Sequence, residues 1–112
     1  MEVHASLERE IDALLRRCQA WLRAEPGAEI LQPRWSYGRE VLRWHVAFTE
    51  EVLEPDLDVE LTAAACIVRA RPAGSSARLL LCVLPVPEHF DHGRPEIVFG
   101  ADSLEIRLRR IP

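Results

Sequence analysis

Apolar residues recur at three- and four-residue steps through residues 6–25, where Leu7, Ile11, Leu14, Leu15, Cys18, Trp21 and Leu22 form one stripe of an α-helix. Glu8, Arg9, Asp12, Arg16 and Arg23 fall on the opposite side. Such a stripe needs a surface to lie on, because each large side chain fully buried contributes roughly 1.5–3 kcal/mol. Ser6 is placed to cap the helix, with Glu8 and Glu10 in the first turn, and Pro26-Gly27 ends it. The seam is too short for a coiled coil, so core packing is the reading of the stripe.

Beyond the helix the period changes from helical to alternating. Residues 28–31 suit a short extended segment, and Trp35-Ser36-Tyr37-Gly38 a short strand and turn. Residues 39–50 separate into two faces as a strand and almost as well as a helix. Val, Trp, Phe and Thr favour the strand, with Leu42, Trp44, Val46 and Phe48 on one face. Residues 59–70 and 77–84 are apolar runs separated by Arg71-Pro72-Ala73-Gly74-Ser75-Ser76, which reads as a central hairpin. Ala63, Ala64 and Ala65 are small enough for the helix to approach closely. A second hairpin follows, residues 96–99 and 103–109 around Gly100-Ala101-Asp102. In its last strand Leu104, Ile106 and Leu108 alternate with Glu105, Arg107 and Arg109, which predicts one wet face. The expected fold is therefore α+β, a long N-terminal amphipathic helix on an antiparallel sheet of about five strands, as one domain over residues 1–112. The element order is similar to that of cystatin-like and other helix-grip shapes.

Charge narrows the partners. The 112 residues carry a formal net charge of −4, which disfavours general nucleic-acid binding. All basic residues other than histidine are Arg. Without Lys, Schiff-base chemistry, a Lys phosphate cradle and a Ser-Lys dyad are excluded. The three cysteines, Cys18, Cys66 and Cys82, are odd in number and set among apolar neighbours, as expected of buried thiols in a reducing compartment. No secretory or membrane-spanning pattern is present, so the expected location is the cytoplasm.

Three constellations are candidates for function. The first is residues 50–60, where Glu50, Glu51, Glu54, Asp56, Asp58 and Glu60 surround Val52, Leu53 and Leu57, and no Arg lies between Arg43 and Arg69. As a connection between strands it presents a negative field with apolar anchors, suited to a basic protein surface. Glu50, Glu51, Leu53, Glu54, Asp56, Leu57 and Asp58 are the expected contact residues. The second is Glu88-His89-Phe90-Asp91-His92-Gly93, in which His89, Asp91 and His92 are acceptable ligands for a divalent transition metal but match no established spacing. The third is the aromatic and Arg cluster of Arg34, Trp35, Tyr37, Arg39, Arg43 and Trp44, the residue types of binding hot spots.

Nothing supplies a nucleophile beside a base: Ser75-Ser76 lacks the G-x-S-x-G frame. A non-enzymatic binding protein without a cofactor is expected, with a basic protein as partner. In size and acidity the chain is similar to bacterial immunity proteins, a resemblance that implies neutralising a toxin or nucleic-acid-acting enzyme by covering its basic site. The alternatives are a small-ligand or metal-dependent enzyme whose pocket opens near His45, His89 and His92, and a homodimeric structural subunit using a sheet face or edge.

Overall fold

The computed structural model describes residues 2–22, 27–62, 64–74, 78–100 and 102–112, with the side chains of 2–4, 20 and 21 outside that description. Helix α1 spans Glu2–Leu22. Eight strands follow among the described residues: β1 Ala28–Ile30, β2 Arg34–Gly38, β3 Val41–Ala47, β4 Val52–Leu61, β5 Ala65–Pro72, β6 Leu79–Pro85, β7 Glu96–Phe99 and β8 Ser103–Arg109. They form two four-stranded sheets, in the orders β1-β6-β5-β4 and β2-β3-β8-β7. Every pairing is antiparallel except β1 with β6, which is parallel.

Alternation along the strands builds the core between the sheets. Leu42, Trp44 and Val46 of β3 face Leu104, Ile106 and Leu108 of β8 across the ladder, and all six are buried. From the first sheet Cys66, Val68, Ala70, Leu80, Cys82 and Leu84 enter the same core. The expected single sheet under a helix is thus corrected to a sandwich: two sheets cover each other's apolar faces. A helix-grip arrangement is excluded by the same observation.

The helix completes the sandwich in two ways. Leu7 and Ile11 belong to the core between the sheets. Leu22, with Cys18 packed against it, joins Ala65, Ile67, Leu81 and Val83, which alternate with the core residues of β5 and β6 and therefore lie on the other face of that sheet. Leu14 and Leu15 are half-buried. Ser6 lies within the helix and does not cap it. The side chain of Trp21, the Pro26 terminator and Ala63 lie outside the described residues; of the remaining small residues, Ala65 is buried and Ala64 exposed.

Within residues 39–50, Val41–Ala47 form strand β3, so the strand reading holds for the middle of that segment. The β2–β3 turn places Arg39 and Glu40 at φ 52° and 62°. Two successive left-handed residues are what a two-residue hairpin between right-twisted strands requires, although Asn and Gly adopt that conformation more readily. The expected strand over residues 59–70 is divided in two. Its break is at Thr62, whose Oγ1 accepts from the backbone N–H of Ala65 at 3.0 Å and ends β4 before β5 begins. The β7–β8 hairpin is as expected, with the outward residues of β8 at least partly exposed.

Candidate functional site

Among the described residues no polar or charged side chain is buried. The polar and charged candidate residues accordingly lie at the surface, which is organised by the sheets' edges and outer faces.

The acidic stretch is not a loop. Val52–Leu61 is strand β4, the outermost strand of its sheet. Leu57, Val59 and Leu61 pair opposite Ala70, Val68 and Cys66, which turns Asp58 and Glu60 to the outside. Between Val52 and Leu57 the register shifts: five steps on β4 match two on β5. This large irregularity carries Leu53, Glu54, Pro55 and Asp56 out of the ladder, all exposed. Pro55 can be accommodated here because an edge strand leaves some backbone N–H groups without a ladder partner.

The expected contact residues separate accordingly. Glu50 is ion-paired to Arg78, whose other guanidinium nitrogen reaches Glu29 at 3.0 Å, so Glu50 ties the β3–β4 turn to β6 and β1. Glu51, Glu54, Asp56 and Asp58 are exposed and make no ion pair among the described residues. Leu57 is half-buried against the core, and Leu53 is exposed. Of five exposed large apolar side chains among the described residues, Leu53 and Leu61 are on β4 and Ile97 and Val98 on β7, the outermost strand of the other sheet.

The histidine candidates are dispersed. His89 and His92 are exposed, and Asp91 Oδ1 accepts from the backbone N–H of Gly93 at 2.8 Å. His45 projects from the outer face of the second sheet toward Glu105 at 3.3 Å. No group of three His, Cys, Asp or Glu side chains among the described residues is arranged to hold a metal. An open depression of about 360 Å³ lies beside the helix, lined by Ser6, Leu7, Glu10, Glu88, His89 and Phe90 with Arg110, but neither His45 nor His92 reaches it.

The aromatic and Arg cluster is split between two faces. Trp35 and Tyr37 alternate with Arg34 and Ser36 and pack inward, Tyr37 edge-on to Phe90 with ring centroids 5.9 Å apart. Arg34 and Arg43 point outward, joined by Arg107 and Arg109 of β8. This outer arginine surface was not apparent from the sequence, because it exists only once β3 pairs with β8.

Comparison with solved structures fits this geometry. Heat shock protein 16.0 from Schizosaccharomyces pombe superposes with a TM-score of 0.63 at 15% identity, covering 77% of this chain and 70% of that one. The fold is that of the small heat shock proteins. HSP18.5 from E. histolytica matches with a TM-score of 0.64 at 9% identity over 76% of this chain and 91% of its own. The Del-C4 mutant of hsp14.1 from Sulfolobus solfatataricus P2 gives 0.57 at 14% identity over 75% and 78%. No protein-family model matches the chain, and no curated protein matches its sequence. The immunity-protein reading is overturned by this fold, since these three structures that share it are heat shock proteins. The reading of a ligand- or metal-dependent enzyme pocket also lacks support, since its three histidines do not converge. No helix among the described residues is long and apolar enough to cross a membrane.

Proposed function

We propose that this chain binds other polypeptide chains without transforming them, as a heat-shock-type holding domain, and that edge strands β4 and β7 are where it holds them. The observation that carries this reading is the placement of exposed Leu53, Leu61, Ile97 and Val98 on those two strands. An edge strand offers backbone N–H and C=O groups to an extended segment, and neighbouring apolar side chains bind its alternate residues. Unfolding proteins expose segments of that kind. The carboxylates of β4 and Pro55 limit runaway pairing of the edge, a protection that edge strands commonly carry. The fold likeness to three heat shock proteins supports the same class of activity. Self-association of the chain accompanies this reading, since an edge or face that receives a client strand also suits a second copy.

The test is light scattering from insulin as its disulfides are reduced. The chain at equimolar or higher ratio is expected to suppress scattering in proportion to its concentration. Scattering unchanged by a threefold variation in the chain's concentration overturns the reading.

A further inference from the structure

The outer face of the second sheet is the opposite in charge to the rest of the molecule. Its outward positions are fixed by register: Ser36, Arg43 and Arg107 form one row with Glu96, Val41 pairs with Arg109, and Arg34 pairs with His45, itself opposite Glu105. Arg94 approaches from the segment before β7, and Arg43, Arg94, Arg107 and Arg109, with Glu96 among them, line a depression of about 90 Å³ floored in part by Val41. Only Arg107 is neutralised, by Glu105 and by Glu96 at 3.0 Å. Arg34, Arg43, Arg94 and Arg109 make no ion pair among the described residues. A cationic face without ion-pair partners, on a chain of net charge −4, attracts an anionic surface.

The same chain carries one. Strand β4 presents Glu54, Asp56 and Asp58 without ion-pair partners, beside exposed Leu53. Asp58 sits in the regular part of β4, and the irregularity carries Glu54 and Asp56 out of the ladder beside it, so the three carboxylates form one exposed acidic segment. Val98, exposed on the arginine face, supplies apolar contact for Leu53.

We propose that the arginine-bearing outer face of the second sheet receives the acidic β4 strand of a second copy of this chain. The two surfaces differ, so the contact is heterologous: each copy offers a face to one neighbour and a strand to another, producing rings or open chains rather than a closed dimer. This deepens the self-association named above and rests on that reading for nothing except the shared use of β4.

Three chains test the docking by sedimentation velocity at low and high salt: wild type, a face variant (Arg43→Glu with Arg109→Glu) and a strand variant (Asp56→Arg with Asp58→Arg). The reversed positions are surface residues of the sheet's outer face and of the irregular edge, and circular dichroism confirms folding. Wild type is expected to grow in mass with concentration beyond dimer, and less so in high salt, where charges are screened within a few ångströms. Each variant alone is expected to weaken association on the order of 100-fold. Their equimolar mixture recovers it, because the reversed face of one variant meets the reversed strand of the other, and the second variant's unreversed face meets the first variant's unreversed strand. A wild type that stays monomeric, association equal in either folded variant, or a mixture that fails to recover overturns the docking. Insulin protection is measured on the same samples. In the wild type, assembly without protection counts against the holding reading alone, and protection without assembly counts against the docking alone.

Discussion

The indole Nε1 of Trp44 donates to the carbonyl oxygen of Pro85 at 3.1 Å, joining β3 of one sheet to the end of β6 in the other. Trp44 is fully buried, so this bond satisfies the one polar atom of the largest side chain in the core. It also fixes how the sheets are stacked at that point. Trp44→Phe removes the donor, strands the Pro85 carbonyl and leaves a small void, and is expected to lower unfolding free energy by roughly 2–4 kcal/mol. Urea denaturation followed by far-UV circular dichroism measures it; a loss below about 0.5 kcal/mol would mean the indole hydrogen bond has no structural weight.

Ile11 tests whether the helix is part of the sandwich. Its side chain is fully buried in the core between the sheets, whereas Glu8 one turn away is exposed. Ile11→Ala is expected to destabilise the whole fold by about 2–5 kcal/mol and Glu8→Ala by less than about 0.5 kcal/mol. A helix that merely lay on the surface would show no such contrast in denaturant midpoints.

The Arg39-Glu40 turn is a site for stabilisation. Glu40 holds φ 62°, which glycine adopts without steric penalty, and its carbonyl already accepts from Arg110 N–H at 2.9 Å. Glu40→Gly is expected to raise the melting temperature, with a gain of roughly 0.5–1 kcal/mol. Calorimetry showing a lowered melting temperature would contradict the assignment of strain to that residue.

The thiols set an alkaline limit. Burial pushes Cys66 to about 11 and Cys82 to about 12, from an ordinary 9.0, with Cys82 also raised by the neighbouring Cys18. Since these folded values exceed the unfolded one, the folded chain retains protons that the unfolded chain releases. The stability contribution is full below about pH 9 and is lost as pH rises toward 12. Cys82→Ala should flatten the alkaline fall in denaturant midpoint. Aromatic disulfide reagents at neutral pH are expected to modify the half-buried Cys18 before either buried thiol.

Much of the local structure was legible in the sequence for a clear reason. The stripe through Leu7, Ile11 and Leu22 and the alternation through Leu42, Trp44 and Val46 each record one buried face, and periodicity reports faces directly. Partners are another matter. Alternation does not say which strand Leu42 pairs with, so two stacked sheets and one curved sheet present the same pattern until Leu42 is found opposite Leu108. The parallel strand β1 has three residues and no period to read. Val59 and Val68 belong to one apolar run in sequence, and only the side-chain turn at Thr62 folds them into a pair. In the sequence the acidic stretch resembles a connection, because carboxylates and Pro55 are depleted in strands, yet an edge tolerates both. Arg43 and Arg107 are far apart in the chain, and no local pattern announces that they share a row.

The most direct test of polypeptide holding at the edges is amide hydrogen exchange, measured by mass spectrometry with and without reduced, carboxymethylated α-lactalbumin, which stays unfolded. The added chain is expected to slow exchange in β4 and β7 and to leave β5, β6 and the helix unchanged. Exchange in β4 and β7 unaltered by a saturating excess of that chain, or protection confined to the helix, would contradict the account.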